Sequence, residues 1–135
     1  MFRTMLVEDN VIFRESLRDS LRLKFPLIEF IEAGNGEEAL EKIGSQPPNL
    51  IFMDIRLPGQ NGLELTERIK KLHPDMTIII LTDYDIPEYR EAAARFKADY
   101  FFSKDSMTNE QVNSLVKSIL SKKGFDGDGA EASLA

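Results

Sequence analysis

Residues 50–59 read Leu50-Ile51-Phe52-Met53-Asp54-Ile55-Arg56-Leu57-Pro58-Gly59. Four apolar residues in a row, with no polar alternation, indicate a strand buried on both faces and hence a parallel sheet. The run closes on a carboxylate and opens at once into a Pro/Gly turn. A carboxylate at the end of a buried strand is costly to place unless it does chemistry. Three other apolar runs end in the same way: Met5-Leu6-Val7 in Glu8-Asp9, Ile78-Ile79-Ile80-Leu81 in Thr82-Asp83, and Tyr100-Phe101-Phe102 in Ser103-Lys104. Ligands of an open parallel α/β sheet bind outside the carboxyl ends of its strands. These acids, the hydroxyl and the lysine are therefore expected to converge on one small site.

Working outward, the pattern predicts strands near 3–8, 27–33, 50–54, 77–82 and 99–102. The second carries Glu29 and Glu32 and reads as an edge. Amphipathic helices fill the gaps. The first, near 11–25, has Phe13, Leu17, Leu21 and Phe25 at i,i+4 spacing, with Asn10 as its N-cap. The second, near 36–45, opens with a capping-box-like Asn35-Gly36-Glu37-Glu38. The third, near 62–72, presents Leu65, Ile69 and Leu72. The fourth, near 86–97, opens with Asp85-Ile86-Pro87-Glu88, another capping signal, and its stripe of Tyr89, Ala92, Ala93 and Phe96 is mostly small. The fifth, near 107–122, carries Val112, Leu115, Val116, Ile119 and Leu120 at helical period. Five βα units give an α/β fold of (βα)5 type, whose parallel crossovers are right-handed. After Lys123 the chain is glycine-rich and acidic, so residues 123–135 are expected to be a disordered tail.

The chain has 135 residues, enough for one domain with one core. With 42% hydrophobic and 30% charged residues, the composition is that of a soluble globular protein. No apolar run approaches the roughly 20 residues of a membrane span, and no signal peptide is visible. The absence of cysteine excludes disulfides, thiolate zinc sites and a cysteine nucleophile, and suits a cytoplasmic protein. A net charge of −6 with scattered lysines and arginines argues against nucleic-acid binding. The single histidine, His73, precedes the fourth strand, at the end of the sheet away from the site, so a phosphohistidine role is disfavoured. No Walker-type or G-x-G-x-x-G loop is present.

Taken singly, the strand-end residues have bland readings. Asp54 suits a turn, Thr82 or Glu8-Asp9 a helix cap, and Lys104 a surface charge. Taken together they carry a resemblance. Leu6-Val7-Glu8-Asp9-Asn10, Met53-Asp54-Ile55-Arg56-Leu57-Pro58-Gly59-Gln60-Asn61-Gly62, Ile80-Leu81-Thr82 and Asp99-Tyr100-Phe101-Phe102-Ser103-Lys104 fall in order at the right strand ends. Residues 3–122 thus resemble the receiver domain of bacterial two-component response regulators.

The resemblance implies a three-layer, flavodoxin-like sheet in the order 2-1-3-4-5, with a receiver domain over residues 1–122. It implies that Asp54 is the phosphoacceptor, working with Thr82 and Lys104. Glu8, Asp9, Asp54 and the carbonyl of Arg56 would hold Mg²⁺, Glu8 mainly through water. Oxygen donors of this kind suit that hard ion. Lys104 would meet one phosphoryl oxygen and Thr82 another. Thr82 and Phe101 would form the switch, acting on the last two helices and strand. Arg56 and Tyr84 would flank the approach of water to the phosphate. The implied partners are a sensor histidine kinase or phosphotransfer protein, and a downstream effector or an output domain. Phosphorylation-dependent homodimerisation is a further expectation. Chemistry would be limited to self-phosphorylation and autodephosphorylation.

The sequence departs from the family pattern in two places. Phe101 stands where the switch aromatic is often Tyr, so its inward state would rest on packing alone. Asp105 follows Lys104 where Pro with a cis bond is usual, and a cis non-proline bond costs about 3–4 kcal/mol. The Lys-Asp variant resembles receivers joined to a helix-turn-helix output domain, which leaves open a stand-alone receiver or a piece of a longer regulator. Two other classes compete. A haloacid-dehalogenase-like phosphohydrolase also uses Asp and Mg²⁺, but needs a second acid where Arg56 stands. A flavoprotein of the same sheet order needs a phosphate loop where Glu8-Asp9-Asn10-Val11 would repel phosphate.

Overall fold

Strand β3 (Leu50–Met53) is buried along its whole length. It pairs in parallel with β1 (Arg3–Val7) on one side and with β6 (Thr77–Thr82) on the other. The computed structural model describes residues 1–130. β2 (Glu29–Ala33) adds to β1 as one edge and β7 (Tyr100–Ser103) adds to β6 as the other. The sheet order is β2-β1-β3-β6-β7. A separate two-residue ribbon supplies β4 (Arg56–Leu57) and β5 (Gln60–Asn61). Leaving that ribbon aside, the five sheet strands follow the expected 2-1-3-4-5 order, and Glu29 and Glu32 do lie on an edge.

Side chains of a strand alternate between faces, and the central strands feed two cores. Met5, Val7, Ile51, Met53, Ile78 and Ile80 meet α2 (Gly36–Ser45), α3 (Gly62–Leu72) and α4 (Pro87–Arg95) on one face. Leu6, Leu50, Phe52, Ile79 and Leu81 meet α1 (Val11–Lys24) and α5 (Asn109–Lys122) on the other. Each fully buried Leu, Ile or Phe contributes roughly 1.5–3 kcal/mol, so these two layers fix the positions of the strand ends.

Helix starts follow the sequence with one exception. Asn10 Oδ1 accepts from the Phe13 N–H at 3.1 Å and Asn35 Oδ1 from the Glu38 N–H at 2.8 Å. Thr108 and Gln111 form a reciprocal capping box on α5. The expected cap of α4 is absent: its N-cap residue is Ile86, with no side-chain bond, and the Asp85 carboxylate pairs with Arg90 instead. α4 fully buries only Ala93.

The expectation of a disordered tail needs correction over 123–130. Phe125 packs edge-on against the buried Phe2 ring at 5.1 Å. The Leu27 N–H donates to the Asp128 carbonyl at 3.1 Å. Gly129, at φ 103°, lies so close to Ile28 that a Cβ would sit 2.8 Å from its Cγ1. One aromatic anchor and one glycine suffice to lay this segment on the core, despite its polar composition. Residues 131–135 of the expected tail lie outside the described residues. Among those described, no helix is long and apolar enough to cross a membrane.

Candidate functional site

The register places Val7 beside Met53, Met53 beside Ile80, and Thr82 beside Ser103. The residues that follow or end these strands therefore meet at one edge of the sheet. Glu8, Asp54 and Thr82 are buried there and Asp9 is exposed. Glu8, Asp9 and Asp54 each bring a carboxylate oxygen within 4.8 Å of the others. Three like charges so close, two of them buried, need a cation.

Lys104 supplies one charge. Its ammonium donates to Glu8 Oε1 and lies 3.6 Å from Asp54 Oδ2 and 3.8 Å from Asp83 Oδ2. It also sits 4.4 Å above the Phe13 ring. Burial works against this ammonium, but the bond it donates to Glu8 and the charge of Asp54 hold its pKa above the ordinary lysine value. Asp54 moves up as well, to about 7, chiefly through burial and next through the charge of Glu8, with Lys104 opposing. One lysine therefore leaves the three acids under-compensated, and their hard oxygen donors fit a divalent ion such as Mg²⁺.

Neighbouring groups orient two of the three acids. Asp54 Oδ1 accepts from the Ile55 N–H at 2.9 Å, Glu8 Oε2 from the Asn10 N–H at 3.1 Å, and the Glu8 carbonyl from Arg14 Nη1 at 2.7 Å. The Ile55 carbonyl accepts from the Gly62 N–H at 2.7 Å. Bonded and non-bonded pairs alternate along an antiparallel ribbon. Arg56 and Asn61 are thus the non-bonded pair, and the Arg56 carbonyl points away from the ribbon. Gly62 allows this turn to close: a Cβ there would lie 1.9 Å from the Asp54 carbonyl oxygen.

Thr82 Oγ1 accepts from the Tyr84 N–H at 3.2 Å, and its own proton stays free to donate. The Arg56 guanidinium stacks on the Tyr84 ring at 3.6 Å. Phe101 packs with the α2/α3/α4 core while Tyr100 and Phe102 join the other layer. Arg90 lies 4.7 Å over the Phe101 ring. The Lys104–Asp105 peptide is trans, as are all those described.

Asp83, expected among the strand-end acids, does face Lys104, whereas the sequence reading missed Phe13, Gly62, Tyr89 and Arg90 as neighbours of this site. Phe13 was legible only as part of a core stripe. Asn61-Gly62 at a helix start was the available signal for the close approach to Asp54.

The family model for the response regulator receiver domain matches residues 4–125. The chain belongs to that family. Among its relatives, the response regulator MprA of Mycobacterium ulcerans is 31% identical, with 98% of this chain and 56% of that protein covered. The transcriptional regulatory protein YesN of Bacillus subtilis is 26% identical over 93% of this chain and 34% of its own length. Among solved structures, the receiver domain protein of Methanospirillum hungatei is 28% identical, with a TM-score of 0.83 and 91% and 96% of the two chains covered. The regulator TrrA of Thermotoga maritima, solved with Mg²⁺ and BeF, is 36% identical, with a TM-score of 0.78 and 89% and 100% covered. The receiver spans about a third to a little over half the length of the first two relatives. Family membership favours the signalling reading over a phosphohydrolase, and Arg56 stands where that enzyme class needs an acid.

Proposed function

We propose that this receiver accepts a phosphoryl group on Asp54 from a sensor histidine kinase or phosphotransfer protein. The observation that carries the assignment is the clustering of two further carboxylates, Glu8 and Asp9, and the Lys104 ammonium around the buried Asp54 at a strand end. In the step, an Asp54 carboxylate oxygen bonds to phosphorus as the bond from phosphorus to the donor imidazole nitrogen breaks. The Lys104 ammonium stands where it can take up charge on a phosphoryl oxygen, and Thr82 offers its hydroxyl proton to another. Glu8, Asp9, Asp54 and the Arg56 carbonyl would hold Mg²⁺, Glu8 mainly through water. When bound, the ion neutralises phosphoryl charge and holds the clustered acids in their ionised form.

Acetyl phosphate replaces the kinase in the test. Mass spectrometry is expected to find a phosphoryl adduct on the wild-type chain with Mg²⁺, and none with EDTA or on Asp54→Asn. A comparable adduct on Asp54→Asn would overturn the assignment.

The proposed output runs through the α4–β7–α5 face to an effector or an output domain, in the cytoplasm. That face and the α1/α5 face are the two candidates for a phosphorylation-dependent homodimer. Turnover of exogenous phosphoesters is not part of this reading; the chemistry is self-phosphorylation and autodephosphorylation.

A further inference from the structure

Arg56, Tyr84 and Tyr89 come from three segments. Arg56 follows the Asp54 turn, Tyr84 follows Thr82, and Tyr89 lies in the first turn of α4. Arg56 is exposed, yet two groups hold it: its guanidinium lies 3.6 Å from the Tyr84 ring centroid, and Nη2 donates to the Tyr89 hydroxyl at 3.4 Å. Stacking alone is a weak restraint on an exposed arginine with this much rotamer freedom. The second anchor fixes the side chain's direction. The Tyr89 ring packs against the α2/α3/α4 core while its hydroxyl reaches outward, so it is itself held.

We propose that Tyr89 is a positioning residue that fixes Arg56 across the mouth of the site and thereby sets the lifetime of the aspartyl phosphate. The inference rests on Asp54 being the phosphoacceptor. In hydrolysis, a water oxygen bonds to phosphorus opposite Asp54, the Asp54 oxygen–phosphorus bond breaks, and the water proton leaves with the phosphate. Arg56 and Tyr84 lie two residues beyond Asp54 and Thr82, so a guanidinium held by both tyrosines is the group placed to narrow that approach. Because Tyr89 rides on α4, which has no side-chain cap and buries little, displacement of α4 withdraws the post. A partner that shifts α4 on the output face then changes the phosphate lifetime as well.

The test uses the full chain phosphorylated by acetyl phosphate and Mg²⁺, with excess donor removed and decay followed by mass spectrometry. Tyr89→Phe keeps the packed ring and removes only the hydroxyl. Its phosphate is expected to decay about two- to fivefold faster than wild type, the range of one ordinary hydrogen bond. In an Arg56→Ala background the same change is expected to add nothing, which a general loosening of α4 would not reproduce. Decay of Tyr89→Phe at or below the wild-type rate, or acceleration that persists without Arg56, overturns the inference. If wild type itself acquires no adduct, the reading of Asp54 fails instead.

Discussion

Gly62 presses on the backbone of Asp54. A Cβ at position 62 would fall 1.9 Å from the Asp54 carbonyl oxygen and 2.8 Å from its carbon. The first residue of α3 is therefore shaped by the Asp54 turn. Two effects oppose each other in Gly62→Ala. Helix propensity favours alanine by at most about 1 kcal/mol. Overpacking against backbone, which cannot rotate away, costs roughly 1–3 kcal/mol or more. The clash wins, so denaturant melts are expected to show net destabilisation, and adduct formation from acetyl phosphate to slow as Asp54 is displaced. A variant as stable as wild type would show that the turn yields freely.

The acid cluster gives the metal-free protein an unusual pH profile. Burial and Glu8 push the Asp54 pKa up to about 7 in the folded chain, against roughly 3.9 when unfolded. The folded state thus holds a proton that the unfolded state releases. Its contribution is full below about pH 4 and is lost as pH rises through about 7. Glu32 and Asp85 shift the other way: Glu32 is lowered because its bonds from Arg18 and Arg14 outweigh its burial, and Asp85 is lowered by its bond from Arg90. Without Mg²⁺, unfolding free energy is expected to fall from pH 5 to pH 8. Asp54→Asn should flatten that profile and exceed wild type at pH 8 by on the order of 1–3 kcal/mol. Added Mg²⁺ should stabilise wild type at pH 8 and leave the variant nearly unchanged. Wild-type stability that rises between pH 5 and pH 8 in EDTA would contradict this account of the cluster.

Phe125 tests the folded-back segment. Its half-buried ring meets Phe2, which is wholly buried, edge to face at 5.1 Å. Losing a half-buried aromatic together with its ring pair is expected to cost about 1.5–3 kcal/mol in Phe125→Ala. Were 123–130 a free tail, the change would stay within about 0.5 kcal/mol. Chemical denaturation of the two proteins separates these outcomes.

The legible part of this molecule was what neighbours along the chain encode. Apolar runs ending in Glu8-Asp9, Asp54, Thr82 and Lys104 sufficed to place the four strand ends, because central parallel strands carry no polar alternation. Asn10 and Asn35 were readable as caps because they bond only three residues ahead. Asp85 misled because a competitor five residues on, Arg90, claims its carboxylate. Phe125 was unreadable as an anchor because its partner, Phe2, lies at the other end of the chain. The 56–61 ribbon has two-residue strands, too short for any periodicity, and the Gly62–Asp54 contact is steric rather than patterned.

Switching should run through the α4 end of the sheet. Asp85 and Arg90 form a two-bond pair, with Arg90 Nη2 2.9 Å from Asp85 Oδ2, and the same guanidinium covers Phe101. The loop that leaves Thr82 is thereby tied to β7. Phe101 has no hydroxyl, so the Arg90 face is its polar tether. With Mg²⁺ and beryllofluoride, amide shifts are expected to be larger over α4, β7 and α5 than over α1–α3, site loops apart. Arg90→Ala should uncouple Phe101 and reduce the β7 shifts. Changes confined to α2 would contradict this route.

Phosphate lifetime is expected to depend on the stacked pair at the mouth of the site. Arg56 and Tyr84 arise two residues beyond Asp54 and Thr82, and the guanidinium carbon lies over the ring, 3.6 Å from its centroid. Both side chains are exposed, and mobile surface side chains would ordinarily matter little. The stacking and the bond from Arg56 to Tyr89 together change that expectation, since they hold the guanidinium and the Tyr84 ring as one plate. Water must approach phosphorus in line with the Asp54 oxygen, and a plate across that line lowers the fraction of time it is open. Removing either half should open it. Dephosphorylation with Mg²⁺ is therefore expected to be about two- to tenfold faster in both Arg56→Ala and Tyr84→Ala, with the double variant close to the faster single one, because the two residues act as a unit. Autodephosphorylation of the isolated chain, followed after removal of acetyl phosphate, measures this. Unchanged or slower loss in both single variants would mean that water reaches the phosphate by a path this pair does not cover.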